Sequence, residues 1–333
     1  MKKSLALLLL ISMPSFGAVI FSDNFDATPD WQNDGSQRCN WIGFDQASGG
    51  DDCAKLPRNY DLVYVSDANP TKPMCEINAK GKRGGSGKGL RVTDESNGGR
   101  SKWGSDCQIA KYLGRQYSEL WASFYIKYNP NMNYSGASKI FRVGHYRPTV
   151  VDGTEGISVF NTDKTTESLG FLDTKQAYAD IFRLNTALRC TPEYKCGSYD
   201  EAFESRFSPS ESWRDTIGDG NWHLVEVQVV MNSAPGKGNG VWRVYWDGKL
   251  HSERTNVPWR MAGADSKVTG FNLFTIAGNS NNVWAGQTNA EQHMYDVDDV
   301  KVCTTRCGGG VSPASPPVAE TSKPESPVVT VKQ

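Results

Sequence analysis

Side chains that could do chemistry fall at alternate positions in several stretches of this chain. In "ELWASFYIKY" (119 to 128) one parity holds Trp121, Ser123, Tyr125 and Lys127, opposite Leu120, Ala122, Phe124 and Ile126. In "WHLVEVQVVMN" (222 to 232) Glu226 and Gln228 oppose Val225, Val227 and Val229, and in "GVWRVYWDGK" (240 to 249) Arg243, Tyr245 and Asp247 oppose Val244 and Trp246. As half-buried strands, these stretches present Tyr125, Lys127, Gln228, Arg243 and Tyr245 outward. Flat rings beside planar hydrogen-bonding groups suit a sugar, whose ring faces stack and whose hydroxyls need fixed partners. The alternative is a solvated face, which would carry Thr, Ser, Lys and Glu without repeated Trp and Tyr. In "SKIFRVGHYRP" a core Phe141 and Val143 would turn Arg142 and Tyr146 outward; His145 lies inward unless a bulge at Gly144 redirects it.

Other chemistries find less support. The glycine-rich "GKRGGSGKGLRV" lacks phosphate-loop spacing, no Gly-x-Ser-x-Gly elbow occurs, and the histidines at 145, 223, 251 and 293 have no zinc-type spacing. No Glu-x-Asp-x-x-Glu strand supplies the two carboxylates of a glycoside hydrolase. Acidic groups do gather near both termini, in "FSDNFD" (21 to 26) and "YDVDDVKV" (295 to 302). If the first and last strands pair, Asp23, Asp26, Asp298 and their neighbours Asp296 and Asp299 could offer oxygens to a structural calcium ion; caps and edge charges are the alternative.

The elements that must position these residues are strands. Alternation marks 62 to 67, 89 to 94, 119 to 128, 138 to 146, 222 to 232, 240 to 249, 270 to 278 and 294 to 302, with Gly, Pro and Asn clusters between them. Such a series closes into an all-β, two-sheet antiparallel sandwich or jelly roll with a concave face. Residues 147 to 215 break the pattern and predict a short helix or an irregular excursion, stapled by Cys190 and Cys196. The first 17 residues have the charge, apolar run and small residues of a signal peptide, and 308 to 333 is a Pro- and Ser-rich tail, leaving one domain over 18 to 307. Eight cysteines in an exported chain predict disulfides, with 303 to 307 a second short staple. With 36 basic and 37 acidic side chains and no run of like charge, electrostatic binding to nucleic acid or membrane is not expected. A secreted, extracellular or periplasmic monomer is.

The succession "GDGNWHLVEVQVVMN", "GVWRVYWDGKL", "GFNLFTIAGNSNN" and "YDVDDVKV" resembles the C-terminal half of concanavalin A-like β-jelly rolls. With "ELWASFYIKY" and "SKIFRVGHYRP" it resembles secreted polysaccharide lyases of that type, the jelly-roll ulvan lyases most of all. Alginate lyases of the fold are a poorer match, because "YSELW" lacks both arginines of their Arg-Ser-Glu-Leu-Arg strand. The resemblance implies β-elimination on an acidic, uronate-containing polysaccharide, with a Lys and a Tyr in the groove. Lys127 and Tyr245 are the matching residues. Arg142 or His145, with Asn281 or Asn282 and Gln228, would then contact the uronate carboxylate, and Arg243 would act as the electrostatic neighbour of Tyr245. A carbohydrate-binding lectin-like domain or a surface adhesin is the competing expectation.

Overall fold

The computed structural model describes residues 17–32, 37–40, 56–66, 73–93, 105–131, 137–146, 149–151, 154–156, 166–178, 181–189, 203–205, 217–280 and 294–308; several of the strand segments, among them 149–205, are described in backbone only. The strands in chain order are β1 (Val19–Asp23), β2 (Trp31–Gln32), β3 (Gln37–Asn40), β4 (Leu62–Ser66), β5 (Cys75–Asn78), β6 (Gly89–Thr93), β7 (Ser105–Tyr117), β8 (Glu119–Tyr128), β9 (Ala137–Tyr146) and β10 (Thr149–Val151). They continue with β11 (Thr154–Gly156), β12 (Thr166–Tyr178), β13 (Ile181–Arg189), β14 (Phe203–Ser205), β15 (His223–Val230), β16 (Gly240–Trp246), β17 (Lys249–Val257), β18 (Phe271–Ser280) and β19 (Met294–Cys303). Among the described residues there is no helix, and so none long and apolar enough to cross a membrane.

Two large antiparallel sheets result. Sheet I runs β17-β16-β15-β8-β19-β6-β5-β2, with β1 on β19; sheet II runs β14-β13-β12-β9-β18-β7-β4-β3. Neighbours in each sheet come from distant parts of the chain, as in a jelly roll. The expected strands are present, and the expected inward parities hold: Phe124 and Ile126, Val225 and Val227, and Val244 and Trp246 all join the core. Phe141 and Val143 face them from sheet II, and Cys75 on β5 is bonded to Cys107 on β7, a covalent tie between the sheets. Cys303 is bonded to Cys307, as the short spacing predicts; Cys190 and Cys196 lie outside the described residues.

The short helix or irregular excursion expected in 147 to 215 is corrected for 166 to 189. Thr166–Tyr178 and Ile181–Arg189 are long paired strands, with Phe171 opposite Ala187 and Lys175 opposite Arg183. Their Ala, Leu, Lys and Gln content favours helix, but the alternation of Phe182, Leu184, Thr186 and Leu188 carries the strand period. Sheet pairing overrides propensity here. The signal-peptide segment up to residue 16 and the tail from 309 lie outside the described residues.

Candidate functional site

The predicted groove residues divide between the two outer faces of the sandwich. Tyr125, Lys127, Gln228, Arg243 and Tyr245 stand on sheet I, whereas Arg142, His145 and Tyr146 stand on β9 of sheet II. A sandwich core separates these faces, so one sugar cannot meet both sets. Asn281 and Asn282 lie outside the described residues, and Tyr146 is described in backbone only.

Even within sheet I, Lys127 and Tyr245 do not converge. Tyr245 pairs with Glu226, and Glu226 with Ser123. Lys127 lies two strands away from Tyr245 and about 13 Å farther along β8. Its ammonium is 3.2 Å from Asp296 Oδ2 and sits over the Trp222 ring. Asp296 also takes Arg91 Nε at 2.8 Å, and register carries the row on from Arg91 to Glu76 and Gln32. Lys127 is thus the end of a row of alternating charge across β8, β19, β6 and β5, with the neutral Gln32 beyond it on β2. Tyr125 lies under the Arg83 guanidinium, 3.8 Å from its ring centre.

Tyr245 is covered. It is 2% exposed, stacked on Trp121 with ring centres 5.6 Å apart, and Arg306 lies 4.5 Å over its ring. Arg306 is anchored by both oxygens of Glu226, which holds the guanidinium pKa above its usual value. Burial pushes the Tyr245 phenol up in turn, against a smaller lowering by Arg243 and Arg306, and its hydroxyl has no hydrogen-bond partner. The raised pKa keeps the phenol protonated, which disfavours Tyr245 as a base near neutral pH, and Arg306 covers its ring on the sheet I face. Arg243 donates to Glu253 and, at 2.9 Å, to Gln228 Oε1, and Gln228 donates to Glu119 at 2.8 Å. On the outward face of β8, β15 and β16, Glu119, Gln228, Arg243 and Glu226 are engaged in hydrogen bonds within the protein, whereas the Tyr245 hydroxyl is not.

The acidic expectation meets a similar outcome. β1 and β19 do pair, but Asp23 Oδ1 accepts from the Phe25 amide, Asp26 Oδ1 from the Lys88 amide, and Asp298 from the Arg83 and Asp299 amides, at 2.7 to 2.8 Å. Asp299 is held by the Arg83 guanidinium. Among the described residues no group of three or more His, Cys, Asp or Glu side chains could hold a metal ion, so Asp23, Asp26 and Asp298 do not form the expected calcium ligand set. The glycine-rich loop that fails as a phosphate loop is what serves them: its amides are aimed at the protein's own carboxylates.

On sheet II the arrangement is different. Phe274 and Ile276 of β18 pair with Val143 and Phe141 in the core, so Thr275, paired with Arg142, faces outward. Ile109 and Cys107 of β7 face in, so Gln108 and Ala110 face out. Arg142 is 2% exposed and Gln108 fully buried, and Arg142 Nη1 donates to Gln108 Oε1. Because a guanidinium can only donate, the amide oxygen must face it, and Gln108 Nε2 is turned away. That amide nitrogen is buried without an acceptor. A buried guanidinium beside an unsatisfied donor is a setting made for an anionic oxygen. β9 and β18 stay in register as far as Gly144, whereas β9 and β12 shift register opposite His145, between Glu167 and Gly170, and His145 is buried. Its Nδ1 lies 2.9 Å from Gly270 O, so Nδ1 carries the proton. Gln108 is the residue sequence reasoning missed; the alternation of Cys107, Ile109 and Leu113 within β7 marks it as outward.

No protein-family model and no curated protein sequence matches the chain. Among solved structures it is similar to the alginate lyase Aly36B, with a TM-score of 0.46, 12% identity and cover of 81% of this chain and 97% of that one. It is also similar to the endo-β-1,4-glucuronan lyase from the fungus Trichoderma reesei (TM-score 0.42, 14% identity, 74% and 92% covered) and to the laminarinase from Rhodothermus marinus (0.44, 12%, 86% and 97%). At these identities and scores none of the three assigns a substrate or a reaction to this chain, which rests on its own side chains.

Proposed function

We propose that this protein is a secreted polysaccharide lyase that cleaves an acidic, uronate-containing polysaccharide by β-elimination on the outer face of sheet II. The observation that carries the reading is the buried Arg142–Gln108 pair, whose amide Nε2 lacks an acceptor. β-Elimination removes the C5 proton of a uronate, which is weakly acidic because the adjacent carboxylate resists further negative charge. A guanidinium and an amide N–H on that carboxylate neutralise it and stabilise the charge that develops on proton loss. Burial strengthens both contacts by excluding water. The resemblance of the strand motifs to jelly-roll lyases supports the reaction class, and the Cys75–Cys107 and Cys303–Cys307 bonds support an oxidising compartment. A sulfated uronate polymer such as ulvan is the proposed substrate, with alginate and glucuronan the nearest competitors.

The test is incubation of the mature protein with ulvan, alginate, glucuronan and pectate while following ultraviolet absorbance of the unsaturated product. Turnover on one of them is expected. Arg142→Ala should lower it by roughly 10²–10³-fold, and Gln108→Ala by less. Retained binding without absorbance on any polymer would instead favour the lectin-like alternative. Substituting Tyr146 and Lys175, which the backbone places on β9 and β12 of the same sheet, then searches for the base and the acid.

A further inference from the structure

The edge of sheet I carries a cleft that the chemistry on sheet II does not use. Its volume is about 450 Å³, within the roughly 300–1,000 Å³ of ligand clefts. β2 supplies Trp31 and Gln32, β5 supplies Glu76 and Asn78, and the following turn supplies Lys80. Trp31 is partly buried against the core and also lines the cleft. Asn78 is held in place: its Oδ1 accepts the Lys80 amide at 2.8 Å, and its Nδ2 donates to Glu76 Oε1 at 3.1 Å. Glu76 is only 9% exposed, yet its Oε2 receives no donor among the described residues.

We propose that this cleft binds a neutral pyranose unit, stacked on Trp31 and hydrogen-bonded through its hydroxyls to Glu76 and Gln32. The indole gives an apolar face for the C–H side of a sugar ring. A carboxylate oxygen that takes no donor from the protein, on a residue lining the cleft, can accept an O–H, and a sugar hydroxyl supplies one. Glu76 and Asp30 both line the cleft and each is faced by a lysine, Lys80 at 4.0 Å from Glu76 Oε1 and Lys88 at 2.8 Å from Asp30 Oδ1, so the cleft is balanced in charge and a uronate carboxylate would have to compete with these carboxylates for a cation. A neutral unit needs none. The site lies on a different sheet from Arg142, so it would hold a second segment of chain while the first is cut.

The experiment uses the full-length mature protein. Its nitrogen–proton correlation spectrum is recorded with hexasaccharides of cellulose, laminarin, xylan and mannan, with mixed uronate–neutral oligomers, and with oligomannuronate and oligoguluronate. The indole N–H signal of Trp31 should shift with at least one sugar bearing neutral units and with neither pure uronate. A shift by a neutral homopolymer assigns the cleft to a neutral polysaccharide, and a shift by the mixed oligomer alone assigns it to neutral units of the substrate chain. Glu76→Gln and Gln32→Ala should each weaken binding, Glu76→Gln roughly ten-fold or more, whereas Arg142→Ala should leave it intact. No shift with any neutral or mixed oligomer, equal shifts with the pure uronates, or undiminished binding by Glu76→Gln would each overturn the proposal. Because the readout is binding at Trp31, it stands or falls independently of lyase activity.

Discussion

Tyr245 and Asp298 show how a side chain's surroundings decide what it can do. The Tyr245 hydroxyl is buried without a partner beneath Arg306. Removing an orphaned buried hydroxyl costs little, so Tyr245→Phe should leave turnover unchanged and shift stability by no more than about 1 kcal/mol, in the stabilising direction. Loss of turnover with an unchanged denaturation curve would restore its catalytic reading. Burial, reinforced by Asp299 and Asp26, lifts the Asp298 carboxyl to about 6 despite two amide hydrogen bonds that lower it. A folded pKa above the unfolded value means that the folded state holds the proton more tightly. Asp298 therefore opposes folding above about pH 6, and that penalty is relieved as pH falls from 6 towards 4. A carbon-detected titration should show its carboxyl changing near pH 6, well apart from surface aspartates near 3.9.

Among the elements, the short segment after β19 has the largest effect on what the sequence promised. Thr304 N donates to Ala18 O, Cys307 is bonded to Cys303, and Arg306 grips Glu226 across the outer face of β15. Glu226 is 3% exposed. Arg306→Ala would strand that carboxylate and should cost about 3–5 kcal/mol in denaturant unfolding, much of it recovered by adding Glu226→Gln. If the double variant is no better than the single, the ion pair is not what holds the segment down. The glycine-rich loop before β6 is built as tightly. Gly87 has φ of +94°, and a Cβ there would stand 2.1 Å from Asp26 Oδ1, so Gly87→Ala should destabilise by about 1–3 kcal/mol. Both effects depend on contacts between residues far apart in the chain. Strand alternation in "ELWASFYIKY" says that Trp121 faces outward; it does not say that residue 306 will lie over it.

At the scale of the whole molecule, the Cys75–Cys107 bond joins the two sheets across 32 residues. Replacing both cysteines by alanine should cost about 3 kcal/mol and lower the melting temperature, while leaving the Arg142 face of sheet II competent below that temperature. The strands, their inward residues and the all-β class were legible in the sequence because each depends on a period of two within a few residues. The 303 to 307 staple was legible because the spacing is local. Strand parity, however, separates inside from outside, and a sandwich has two outsides. Lys127 and Arg142 look alike on that test, yet β8 joins β15 and β19 in sheet I, while β9 joins β12 and β18 in sheet II. Those pairings are chosen by contacts between distant segments. The sequence by itself therefore determined that this is a jelly roll with polar and aromatic outer faces. Only the tertiary structure decided that the charged row on sheet I pairs within itself, that Arg306 covers Tyr245, and that Arg142 is buried beside Gln108 on the opposite sheet.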